Sequence, residues 1–162
     1  MRRRYVKSRA SQQPNKAIIA VLVERDGNIK ARKVEKTDSA ILQENIRQHG
    51  EKSARIITDE WQSYKGLENE FASHELVDHN HGEYVRGDVY TNTAESWIAL
   101  LKRGIVSAFH HVSKEHLDRY VNEFAFRWDY RKESDVRRMI KAIEGVKGKR
   151  MVYKETIKRF NE

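Results

Sequence analysis

The chain has 162 residues, enough for one domain with a proper core and too few for two full ones. Its net charge of +8 and pI near 9.7 point to a polyanionic partner, nucleic acid first. The lack of cysteine excludes disulfides, thiolate zinc sites and thiol nucleophiles. No apolar run approaches the ~18 residues that span a bilayer, so a cytoplasmic protein without membrane contact is expected.

Residues 1–16 carry Arg2, Arg3, Arg4, Lys7, Arg9 and Lys16, no acid, and the only proline, Pro14. They read as a basic flexible arm: a phosphate-binding tail, a solvated leader, or a segment that was once an internal loop. The β-branched run Ala17–Val23 predicts a buried strand. Asp26-Gly27 predicts a hairpin turn, because glycine accepts positive φ, and the more polar run Ile29–Val34 returns as a strand nearer a sheet edge. Thr37-Asp38-Ser39 offers caps for a helix over 40–49, which Gly50 closes. His49, at the end of that helix's apolar face, reads as a packed or helix-terminal histidine.

Arg55–Thr58 predicts a third strand, parallel to some earlier one, since a helix precedes it. Asp59 then stands at a strand's carboxyl end, where α/β sheets place their chemistry, and could equally cap a short helix through Trp61 and Tyr64. His74–Val77 is a candidate short strand. Asp78–Glu83 is a polar loop whose His79 and His81 read mainly as hydrogen-bonding residues, with a transition-metal site beside Asp78, Glu83 and Asp88 as the alternative.

A helix is expected from Asn92, with Trp97, Leu100, Leu101, Gly104 and Ile105 on one face and Glu95, Ala99 and Lys102 opposite. Glu95 and Lys102 lie two turns apart, so they project the same way. Asn92-x-x-Glu95 also has capping-box spacing, and the local pattern alone leaves capping and metal ligation both open. Ser113 reads as the cap of a further helix whose stripe of Leu117, Tyr120, Val121, Phe124 and Trp128 belongs to the core. Arg119, Arg127, Arg131 and Lys132 fall off that stripe. From 131 to 159 there are eleven Lys/Arg against four Asp/Glu, with a short last helix expected near 153–160.

Thr58-Asp59-Glu60-Trp61-x-x-Tyr64-x-Gly66-Leu67 resembles the second-carboxylate segment of bacterial insertion-sequence transposases of the DDE superfamily. His79-x-x-x-Glu83-Tyr84-Val85-Arg86 and Thr91-Asn92-Thr93-Ala94-Glu95-Ser96-Trp97-x-x-Leu100-Leu101-Lys102-Arg103-Gly104 resemble the segment of the third carboxylate. Phe109–Ser113 and the stretch from Leu117 to Arg127 continue the likeness, which is to the group whose domain is called ISXO-two-like and runs from Lys16 on.

The resemblance implies an α/β, ribonuclease-H-like fold, a mixed sheet flanked by helices. It implies DNA transposition, in which three carboxylates hold two Mg²⁺ ions (Mn²⁺ as a substitute), roughly 3.5–4 Å apart, for phosphodiester cleavage and strand transfer. By that resemblance Asp59 and Glu95 are metal ligands and catalytic. Lys102, Arg103, Asn92 and Arg86 contact DNA, and His79 supports the site from behind. The implied partners are terminal inverted repeats and target DNA, engaged by a homo-oligomer associated with the nucleoid.

The family's first carboxylate lies on a central first strand, and nothing before Ala17 resembles it. The acids upstream of Asp59 are Glu24, Asp26, Glu35, Asp38, Glu44 and Glu51, none suitably placed. The expectation is therefore an N-terminally shortened transposase: arm 1–16, an incomplete catalytic domain 17–132 that lacks its first strand, and a basic tail 133–162. Such a chain is expected to be inactive alone. The alternative is a non-catalytic DNA-binding regulator or inhibitor of transposition. Loss of a central strand predicts either poor solubility or compensation by the arm.

Overall fold

The structure, a computed structural model, describes residues 17–59, 62–78, 82 and 85–149, and the backbone of 3–7. Its centre is a five-stranded sheet of order β3-β2-β1-β4-β5. The strands are β1 (Arg3–Lys7), β2 (Ile18–Glu24), β3 (Ile29–Val34), β4 (Arg55–Asp59) and β5 (Ser73–Val77). β2 runs antiparallel to both β1 and β3, whereas β1, β4 and β5 are mutually parallel.

This corrects one expectation. The central strand is not missing, because residues 3–7 of the supposed flexible arm occupy its place. Tyr5 stands opposite Val23 on one side and Ile57 on the other. The physical reason is the one anticipated for compensation: two unpaired ladder edges are costly, and a neighbouring segment able to extend will satisfy them.

β2 reads as a continuous apolar run because both of its faces are covered. Val21 and Val23 face one layer with Ile57 and Val77, and Ala20 and Leu22 face the other with Ile56. The first layer is built by α2 (Asn92–Gly104) and α3 (Leu117–Asp129), through Ala94, Trp97, Leu101, Leu117, Val121 and Phe124. The second is built by α1 (Ser39–His49), through Leu42 and Ile46, with Tyr64, Leu67 and Phe71 from the segment after β4.

β3 is an edge strand, as its polarity predicts. Its outward amides are not left bare: the Ile29 N–H donates to Asp129 Oδ1 and the Lys33 N–H to Asp118 Oδ1, both at 2.8 Å. α3 thus seals the edge with two carboxylates. Burial raises the Asp129 pKa above its ordinary value, and the Ile29 amide opposes that. Arg131 adds a bond to the Gly27 carbonyl at 3.3 Å and stacks 4.4 Å over Trp128.

Three local expectations change. At the β2–β3 turn the positive φ falls on Asp26, at 58°, not on Gly27. Gly50 closes α1 in an extended conformation, φ −88°. A side chain there would meet the Ile46 carbonyl at 2.6 Å and the Phe71 ring at 2.8 Å, so glycine is required by close approach. Residues 131–149 are not a plain basic tail: α4 (Asp135–Val146) lies there, capped by the Ser134 hydroxyl, which accepts from the Arg137 N–H. The helix expected near 153–160 falls outside the described residues.

α2 and α3 meet at Gly104, where an added methyl would overlap the Phe124 ring, with Cε1 at 2.8 Å. Gly104→Ala is expected to destabilise the fold by about 1–3 kcal/mol through overpacking. Gly145→Ala, a helical position with open space around it, is the control and should be neutral or slightly stabilising. Thermal denaturation of the two variants checks this.

Candidate functional site

Asp59 is the last residue of β4 and stands in register with Val77 of β5. Side chains alternate along a strand, so Asp59 projects to the same face as Ile57, the face that α2 covers. It is partly buried, and its Oδ1 is shielded from solvent. Glu95 lies in the first turn of α2, partly buried, beside the fully buried Ala94. The structure thus brings Asp59 and the helix carrying Glu95 to one face of the sheet.

The capping-box alternative for Glu95 is not what forms. α2 begins at Asn92, its N-cap is Thr91 without a side-chain cap bond, and the Glu95 amide donates to the Thr91 carbonyl at 3.1 Å. Asn92 is therefore the first helical residue, and Glu95 stands one position beyond the reciprocal-cap place. The helix starts at Asn92 as expected, and its N-cap Thr91 is fully buried.

Lys102 and Arg103 lie exposed in the last turn of α2, and Asn92 is exposed at its start. Leu100, expected on the buried face, is 37% exposed, because the buried line runs through Ala94, Trp97 and Leu101. Arg86 donates to the Leu76 carbonyl at 3.1 Å, and its backbone bridges Val89. His79 lies outside the described residues, as do His81, Glu60, Trp61 and Glu83.

The loop before α2 is tied down by an ionic cluster that the sequence did not reveal. Arg55, at the opposite end of β4 from Asp59, pairs with Glu75 through both Nε and Nη2, and reaches both Asp88 oxygens at 3.1 Å. Arg25 donates to the Asp88 carbonyl at 2.6 Å and stacks 4.2 Å over Tyr90. The bond to Glu75, then that to Asp88, holds the Arg55 guanidinium above its ordinary pKa against the effect of burial. The loop before α2 is thereby fastened to the sheet face that carries Asp59.

Behind Asp59, on the other face, Thr58 is fully buried and its Oγ1 lies 2.8 Å from His74 Nε2. His74 Nδ1 faces Glu68 at 3.6 Å. With Nδ1–H turned toward that carboxylate, Nε2 accepts from the Thr58 hydroxyl, and β4 is bolted to β5 beside Asp59. Sequence reasoning read His74 only as the start of a strand. No spacing marks it, because its partner comes from strand register.

Carboxylates are hard oxygen donors suited to Mg²⁺. Among the described residues, however, no three ligating side chains come together as an ion site. β1 reads Arg-Arg-Tyr-Val-Lys and carries no acid.

The model of the ISXO2-like transposase domain matches residues 1–129. The chain belongs to this transposase family. The match includes residues 1–16, where the quoted motifs suggested no likeness. An uncharacterised protein in the transposable element ISH50 of Halobacterium salinarum is 38% identical over 78 residues, 48% of this chain and 26% of that protein. The chain thus matches about a quarter of that relative's length. No helix among the described residues is long and apolar enough to cross a membrane.

Burial pushes the His74 imidazole below its ordinary 6.5, and Glu68 offsets this only in part. The unfolded chain therefore takes up a proton that the folded chain resists. Stability should be full above about pH 7 and be lost as pH falls through about 6.5 toward the lowered folded value. His74→Gln should flatten this acid limb in melting curves between about pH 7.5 and 5.

Proposed function

We propose that this transposase-family chain acts in DNA transposition through a ribonuclease-H-like domain, with Asp59 and Glu95 as two of the carboxylates of a DDE site. One observation carries the reading: Asp59, at the carboxyl end of β4, shares a sheet face with the helix that bears Glu95. The strand order, with β2 alone reversed, supports the fold assignment. The net charge of +8 and the exposed Lys102 and Arg103 support a DNA partner, of which the inverted repeats of an element's ends are the substrate class.

The residues fit the two-metal group in part only. Mg²⁺ or Mn²⁺ in such a site supplies activation of the attacking oxygen and stabilisation of the leaving one. Asp59 and Glu95 offer two carboxylates, whereas the strand between β2 and β4 offers none. No cleavage step is therefore assigned to the described residues. The same observation favours the second reading, a DNA-binding regulator of transposition without turnover.

The chain should bind duplex DNA with strong salt dependence. Lys102→Ala with Arg103→Ala should lower affinity and reduce the salt slope by about 2. Mg²⁺-dependent nicking of element ends by the chain alone is not expected. Nicking that disappears in Asp59→Ala and in Glu95→Ala would instead establish a complete active site, and salt-insensitive or absent DNA binding would remove both readings.

A further inference from the structure

α2 does not stop at Gly104. Ile105–Phe109 continue the rod as a π-helix, a rare form found often at functional sites. The rod then ends abruptly. The His111 N–H donates to the Phe109 carbonyl at 2.6 Å, which closes a three-residue turn around His110. His110 has φ 58° and ψ −43°, the rare and strained form of the γ-turn, and no glycine relieves it. Strain of this kind persists only where the surrounding structure enforces it, and it gathers at sites of function.

The turn sets an aromatic ring at the surface. Gly104 of α2 lies against the Phe124 ring of α3. One turn back along α3, the half-buried Tyr120 meets Phe109 edge to face, with centroids 4.6 Å apart and the planes at 68°. Phe109 remains 36% exposed, and His110 and His111 beside it are exposed. The core runs past this ring, through Leu101, Leu117, Val121 and Phe124. Phe109 is therefore held at the surface by its backbone and by Tyr120, and it adds little to the packing beneath.

The charges around the ring point to its occupant. Lys102 and Arg103 are exposed less than two turns earlier, within about 10 Å along the rod. From 102 to 127 the chain carries five bases, Lys102, Arg103, Lys114, Arg119 and Arg127, against three acids. Each of those acids is engaged: Asp118 by the Lys33 amide, Glu115 by Ser113, and Glu123 by Arg127 at 2.7 Å. We propose that this ledge seats an unpaired nucleotide of a DNA strand, its base stacked on Phe109 and its phosphates beside Lys102 and Arg103. A duplex hides the faces of its bases within its own stack, so only an unpaired base has a face to offer a ring. Phosphate contacts alone would need no ring there. The proposal rests on the proposed function for DNA as the partner, and it adds that part of the bound DNA is single-stranded.

Fluorescence anisotropy of the full chain with a blunt duplex, and with the same duplex bearing a short single-stranded thymidine tail, tests it. The tail should tighten binding by at least about fivefold at equal salt. Phe109→Leu and Phe109→Ala should bring the two affinities together, and Phe109→Trp should keep the advantage of the tail. Lys102→Ala with Arg103→Ala should weaken both substrates in parallel. Melting temperatures accompany each variant; where the Leu and Ala variants fail to fold, the wild-type and Phe109→Trp comparisons decide. Equal affinity for tailed and blunt duplex overturns the proposal and leaves DNA binding standing. An advantage that survives in a folded Phe109→Leu, or that Phe109→Trp loses, also overturns it. An RNA tail bound more than about tenfold tighter than the DNA tail overturns DNA as the occupant. Absence of binding to either duplex removes the proposed function together with this proposal.

Discussion

Everything in this fold hangs on the two ladders made by β1. It lies between β2 and β4, and so joins the antiparallel part of the sheet to the parallel part. Its five residues include three bases, a poor composition for the middle of a sheet. Hydrogen bonding on both sides outweighs composition here, since backbone groups in a sheet interior must find partners. α2 and α3 can form one continuous layer only because this strand makes the surface beneath them continuous.

That geometry gives the two acids their relation. Asp59 is held from behind by the Thr58–His74 contact and lies on the face that α2 covers. The loop before α2 is held through Asp88 by Arg55, the first residue of β4, which also pairs with Glu75 of β5. β4 thus carries Asp59 at its last residue and anchors the loop leading into α2 through its first. The strand inserted beside Asp59 brings bases and no carboxylate.

Much of this was legible in the residues. The continuous apolar run of β2, the 3.6-residue stripe of α3 and the polarity of β3 each follow from which faces are covered. The central role of residues 3–7 was not legible, because a basic segment takes strand form only where two ladders await it. The helix start at Asn92 was legible, but the capping box was not what forms: the N-cap is Thr91, so Glu95 stands one place beyond the box position. α4 carried its own signal, Ser134-Asp135 before apolar positions 136, 139, 140 and 143, which the count of bases across 131–159 obscured. The ionic cluster at Arg55 had no such signal. Arg55 and Glu75 are brought together by strand register and Asp88 by the loop before α2.

The seal that α3 places along β3 also governs how this molecule can fail. Asp118 and Asp129 occupy amides that an added strand would need, and they present negative charge to any approaching backbone. Runaway growth into cross-β fibres is closed off from that side for as long as α3 stays docked. A sheet without α3 docked on it would offer the amides of β3 as an open template to its neighbours. For that edge, the docking of one helix decides between a closed ladder and an open one.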